Sequence, residues 1–238
     1  MKITIVGAGR AGSSFAPALA QRGHDVTLVH HDELYALGSP DLILLTVPDD
    51  AVGDVASRIE PSTRWVVAHA SGSLPLGVLS PHPRVGSLHP LMLLPSGELG
   101  AARLAGATYC VAGDDVLFDV ARCLDGRIIT LRDDQRTAYH ATASVAANHL
   151  VALMGHVGDL AEAAGLSLED FLPLAQQALA DVVAVGPHAA LTGPASRGDM
   201  ATIDAHLAAI PESQRSTYVA LANAAFELAE QRRSQTLA

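Results

Sequence analysis

The chain opens with a short β-branched run, Ile3, Ile5 and Val6, that passes directly into Gly7-Ala8-Gly9-Arg10-Ala11-Gly12. Up to about residue 132, short apolar runs alternate with stretches of helical spacing, the pattern of strands buried on both faces and joined by helices. Further strands are predicted at residues 26–29, 41–47 (DLILLTV), 65–68, 84–89, 107–111 and 127–131. Helices are predicted at 13–22, closed by Gly23, and at 51–59 and 116–124. Residues 97–106 read as a flexible loop, and His82, in the turn Ser80-Pro81-His82-Pro83, as a surface residue.

From residue 133 onward the strand-like runs disappear. Residues 134–164 read as one helix of roughly 45 Å at the standard rise. Its middle, 141–154, is apolar on nearly every face, so burial on several sides is expected. At 100° per residue Thr137, His140, Ser144 and Asn148 fall within an arc of about 80°, a polar stripe on that apolar background, with His149 and His156 opposite. Further helices are predicted at 167–185 with Ser167 as N-cap, at 200–210 capped by Asp199, and at 212–233. The expected fold is therefore α/β, a Rossmann-type mostly parallel sheet followed by a C-terminal all-α domain. The predicted division is a dinucleotide-binding domain at 1–132 and a helical substrate and dimerisation domain at 133–238.

Composition narrows the classes. Apolar residues make up 49% and charged residues 17% of the 238, a globular balance with a large core. A net charge of −10 without a basic run argues against nucleic acid or an anionic membrane as partner. No leader or membrane-spanning run is read, and Cys110 and Cys123 lack metal-ligand spacing. A soluble cytoplasmic protein with free thiols and no metal centre is expected. Apolar helical faces in excess of one small domain's needs point to a homodimer.

The candidate chemistry starts at residues 7–12. A strand delivers a glycine turn, and the helix beyond it points free N–H groups at a diphosphate. Gly7 serves the tight turn, Gly9 the approach of the phosphates, and Gly12 the packing of helix on strand. Where an NAD site places a carboxylate, this chain has His30 and His31, with Asp32 and Glu33 just beyond. Two readings are open: the histidines, with Arg10, hydrogen-bond a 2′-phosphate and favour NADPH over NADH, or they are solvated strand-end residues. Ligands of such sheets bind beyond the carboxyl ends of the strands, which assigns Val47, Pro48, His69, Ser71 and His89 to the nicotinamide end of the cleft. His69 and His89 are equally explicable as loop caps. Arg197, in the turn-rich stretch 191–199, suits a substrate carboxylate, or is a plain surface arginine.

The order GAGRAG, TVPD, HASG, GSLHPL, AYHATASVAANHLVAL and LTGPASRGD resembles, over essentially the whole chain, a two-part bacterial family. That family pairs a Rossmann-like NAD(P)-binding domain with a C-terminal domain of unknown function 2520. The architecture is similar to pyrroline-5-carboxylate reductase and the 6-phosphogluconate dehydrogenase-like group, and some members are thought to act as alternative ketopantoate reductases. The resemblance thus implies reduction of a small 2-oxo acid, ketopantoate first. Related hydroxyacid dehydrogenases use a lysine on the long helix, whereas Lys2 is the only lysine here. His140 is therefore the expected general acid, with Asn148 and Ser71 orienting and with His89, Ser144 and Arg197 binding substrate. An imine reductase and a non-catalytic NAD(P)-binding sensor or scaffold are the rival expectations.

Overall fold

The computed structural model describes residues 1–236. Two compact units divide it, Met1–Asn148 and the residues from His149 onward.

In the first unit the apolar runs form seven strands: β1 (Lys2–Val6), β2 (Asp25–Val29), β3 (Leu42–Leu45), β4 (Val66–His69), β5 (Val85–Pro90), β6 (Thr108–Gly113) and β7 (Arg127–Thr130). Their order is β2-β1-β3-β4-β5-β6-β7, parallel throughout except where β6 runs against β5. The connecting helices are α1 (Arg10–Gln21), α2 (Asp49–Ser57), α3 (Gly97–Leu104) and α4 (Asp115–Cys123). Residues 97–106, expected as a flexible loop, are thus mostly helix. Gly100 lets α3 lie against α1, because a Cβ there would stand 2.0 Å from Ser14 Oγ.

Strand residues alternate between two faces. On one face Ile3, Ile5, Leu42, Leu44, Val66, Ala68, Leu88, Tyr109 and Val111 pack under α1, α3 and α4. On the other, Ile43, Leu45 and Val67 pack under α2 with Val52, Val55 and Leu79. His82 belongs to this second layer: it is buried, with Nε2 2.9 Å from the Ala56 carbonyl near the end of α2. Its expected surface position is corrected by that anchor, which a proline-flanked turn gives no sign of in sequence.

The expected 31-residue helix is not uniform. A turn at Asp133–Gln135 leads into α5 (Arg136–Ser144), then a π-helical turn spans Val145–His149, then α6 (Leu150–Ala163) follows. The boundary between the compact units falls inside the π turn, so α5 packs with the sheet. The second unit continues with α7 (Leu172–Val185), two short pieces α8 (Pro187–Ala190) and α9 (Gly193–Arg197), then α10 (Met200–Ala209) and α11 (Glu212–Thr236). Ser167 and Asp170 form the capping box before α7, and Asp199 accepts from Thr202 N–H at the start of α10. The expected burial of 141–154 does not hold: Val145, Leu150 and Val151 are exposed, as are Leu174, Val183 and Val185 on α7. No helix among the described residues is long and apolar enough to cross a membrane.

Candidate active site

The glycine turn joins β1 to α1. Gly7 has φ +110°, a conformation that needs glycine, and its N–H donates to the Val29 carbonyl at 2.9 Å. Thr46 braces the turn from β3's end, its hydroxyl 3.1 Å from the Val6 carbonyl and 2.8 Å from that of Gly7. Gly12 presses on the same loop, since a Cβ there would stand 1.8 Å from the Gly7 oxygen. Gly9 is the opposite case: nothing lies within 4 Å of where its Cβ would be. Ala8, Gly9 and Arg10 are exposed, and no side chain caps the N-terminus of α1. The open side of Gly9 and the uncapped N–H groups are what a phosphate-bearing ligand requires, so the turn fits the diphosphate of a dinucleotide. At the end of β2, His30 and His31 are exposed, and the Glu33 carboxylate accepts from the backbone N–H of His30 at 3.2 Å.

A second feature lies at the carboxyl ends of β4 and β5. The face of Val67 under α2 is apolar, yet two residues on, the same face carries His69, with Ser87 in register beside it, then His89, and Cys110 opposite His89. His69, Ser87 and Cys110 are fully buried. The segment 133–140 covers this polar row. Arg136 is itself fully buried, donating through Nε to Asp133 at 2.7 Å and through Nη2 to Ser87 Oγ at 2.8 Å. Tyr139 Oη is 2.9 Å from His89 Nδ1, and the His140 ring stands edge-on to His89 at 6.3 Å between centroids.

The row is held neutral. Burial, then the Arg136 charge, lowers His69 to about 4. Burial, then His140, lowers His89 likewise to about 4. Burial raises the Cys110 thiol and the Tyr139 phenol, so both keep their protons at neutral pH. Both nitrogens of His69 and Nη1 of Arg136 are buried without a protein partner. His69, expected to line the cleft, therefore sits beneath its surface. The half-buried groups above it are His89, Tyr139 and His140.

Ser71 is nearly buried and committed locally. Its hydroxyl donates to Asp49 Oδ2 at 2.7 Å, as does that of Ser73, while its oxygen accepts from the N–H groups of Ser73 and Leu74. Val47 and Pro48 lead from β3 to Asp49 at the start of α2. The expected buried stripe on the long helix is corrected: Thr137 and Asn148 are exposed, and His140 and Ser144 are half-buried. The π turn invalidates the 100° count beyond Val145, because a wider turn rotates every later residue back around the axis. Arg197 is exposed at the end of α9 in the second unit, and His156 there bonds Gln214 at 2.6 Å.

Sequence reasoning missed Arg136, Tyr139 and Asp49. Arginine and tyrosine at 136 and 139 give no sign of this role while their segment reads as part of the helical half. Their spacing of three, beside His140, carried the signal.

Comparison with known proteins now adds the family. Residues 108–225 match the family described as Domain of unknown function (DUF2520). This segment is a DUF2520 domain. The DUF2520 segment begins at β6 and follows the nucleotide-type turn, giving the two-part organisation that the motif order implied. No curated protein matches the chain. Solved structures share its fold across nearly its whole length. A candidate NADP oxidoreductase from Bacteroides fragilis superposes with a TM-score of 0.79 at 21% identity, covering 95% of this chain and 98% of that one. A reductive aminase from Aspergillus terreus, in complex with NADPH and ethyl levulinate, gives 0.68 at 17% identity over 97% and 94%. Pyrroline carboxylate reductase from Plasmodium falciparum, with NADP bound, gives 0.61 at 15% identity over 98% of each chain.

Proposed function

We propose that the protein is an NADPH-dependent reductase of a small 2-oxo acid, with ketopantoate, giving pantoate, as the leading substrate. The observation that carries this reading is the pairing, within one compact unit, of a glycine turn open at Gly9 with histidines at the carboxyl ends of adjacent strands. The NADP and NADPH named for the structural relatives support the cofactor. Their imine chemistry keeps a cyclic imine acid as the second substrate class.

When bound, NADPH supplies the hydride. Residues 7–12 hold its diphosphate, Arg10, His30 and His31 its 2′-phosphate, and Val47 and Pro48 the nicotinamide end. His140 gives its proton to the developing alkoxide and, half-exposed, regains one from solvent. Ser71, fixed by Asp49, holds the turn beneath the reacting atoms. Ser144, half-buried on α5, orients the carbonyl, a role that its substitution tests through KM, and substitution of Arg197 tests that residue's expected part in carboxylate binding. The exposed Leu174, Val183 and Val185 support a homodimer, which light scattering of the purified protein tests.

The test is NADPH consumption with a panel of 2-oxo acids and cyclic imines. Oxidation with ketopantoate or another 2-oxo acid is expected. Oxidation with imines alone moves the protein to imine reduction, and tight NADPH binding without any turnover moves it to a sensor.

A further inference from the structure

His89, half-buried at the carboxyl end of β5, is held by its neighbours. Three contacts define its ring. Gly72 lies flat against it: a Cβ at Gly72 would stand 2.8 Å from Cε1 and 3.0 Å from both Nδ1 and Nε2. Tyr139 Oη meets Nδ1 at 2.9 Å, with the two rings perpendicular at 5.6 Å. The His140 ring stands edge-on from the next residue of α5. Among the described residues Nε2 has no protein partner, yet unlike the nitrogens of His69 it is not sealed from solvent. The ring is therefore clamped on one nitrogen and open on the other.

A neutral imidazole has one N–H and one lone pair, and the partner of one nitrogen decides the character of the other. Tyr139 keeps its proton, because burial raises its pKa, so its hydroxyl can donate to Nδ1. With the hydroxyl as donor, the proton of His89 lies on Nε2. We propose that Tyr139 is a positioning residue that fixes His89 as the Nε2–H tautomer, so that a neutral imidazole offers one aimed donor to the oxygen or nitrogen of the double bond being reduced. This rests on the reductase reading above. It separates two tasks that the sequence assigned to one stripe: His140 transfers the proton, and His89 stabilises the charge that builds up on the acceptor atom. It also gives Gly72 a reason, since any side chain there would displace the ring. The charged and titratable groups around His89 are His140, Asp49, whose charge is shared by two serine hydroxyls, Arg136, held by Asp133, and His69.

The experiment is nitrogen NMR of histidine-labelled full-length protein without substrate, joined to kinetics of Tyr139→Phe and His89→Gln. In the wild type His89 should show a pyrrole-type Nε2 and a pyridine-type Nδ1. Tyr139→Phe should mix the two tautomers and lower kcat about tenfold, the value of one hydrogen bond, with NADPH affinity unchanged. His89→Gln, which keeps a donor, should retain more activity than His89→Ala. A protonated Nδ1 in the wild type, or a Tyr139→Phe protein with unchanged tautomer and kcat, overturns the proposal. Absence of turnover in the wild type, with the Nε2–H tautomer observed, instead removes the reductase reading and with it the donor role of His89, leaving only the clamp.

Discussion

Two glycines three residues apart should fail in opposite ways. At Gly12 an added Cβ stands 1.8 Å from the Gly7 oxygen and 2.7 Å from Thr46 Oγ1. A carbon–oxygen contact relaxes to about 3.3 Å, so α1 must retreat from the turn by about 1.5 Å. Overpacking of this kind costs about 1–3 kcal/mol, against which the helix propensity of alanine returns up to about 1 kcal/mol. Gly12→Ala should therefore lower Tm by several degrees, at about 2–4 °C per kcal/mol for a chain of this size, and weaken NADPH binding. At Gly9 the backbone has φ −71° and ψ −166°, which alanine adopts freely, and the space around it is open. Gly9→Ala should leave stability within about 0.5 kcal/mol. Its methyl group would nonetheless occupy the approach path of the diphosphate, and a misfit of about 1–3 kcal/mol there weakens NADPH roughly 10- to 100-fold. Thermal unfolding and calorimetric titration of both variants read the two effects separately. A Gly9→Ala protein that binds NADPH like the wild type, or one that loses stability as Gly12→Ala does, would refute the assignment of the turn.

The other expectations concern the polar row and the nucleotide. His140→Gln should cut kcat by about 10²–10⁴ while leaving NADPH affinity intact, and equal loss of both removes its role as the acid. His69 and His89 titrate near 4 in the folded chain against 6.5 unfolded, so the unfolded state takes up protons first on acidification. Their contribution is complete above pH 6.5 and lost on descending to about 4, at roughly 3 kcal/mol for each ring; denaturation midpoints independent of pH across that window would contradict it. Asp133→Ala strands the fully buried Arg136 and should cost about 3 kcal/mol, whereas Asp133→Ala with Arg136→Met should recover part of that loss in urea unfolding. Arg10→Ser should raise the Kd of NADPH about tenfold and leave that of NADH unchanged, a result that equal shifts would exclude.

The nucleotide half was legible because its signals are local. A short unbroken apolar run such as LILL at 42–45, flanked by Pro40 and Pro48, reads as a strand buried on both faces, and the glycine turn shows as a local motif, with Gly7 set by its φ, Gly12 by close approach and Gly9 by open space. The polar row was legible only in part. His69 and His89 stand out at strand ends, but that they share a face with Ser87 and Cys110 depends on strand order and on the reversal of β6. Arg136 and Tyr139 were hidden because helical character suggested membership of the helical half, whereas packing joins α5 to the sheet. Asn148 was misplaced by a purely geometric cause: periodicity arithmetic presumes an unbroken α-helix, and nothing in Val145-Ala146-Ala147-Asn148-His149 announces a π turn. Likewise, hydrophobicity alone predicted burial for Val151, whereas it is exposed on the chain by itself.

The most direct test of the central claim follows the hydride itself. Protein is incubated with ketopantoate and NADPH deuterated on the transferable position of the nicotinamide, and the product is examined by mass spectrometry. Pantoate carrying one deuterium on the carbon that bears the new hydroxyl is expected from the wild type, and much less of it from His140→Gln. Deuterium that stays on the cofactor, with ketopantoate and every other 2-oxo acid and imine recovered unchanged, would contradict it.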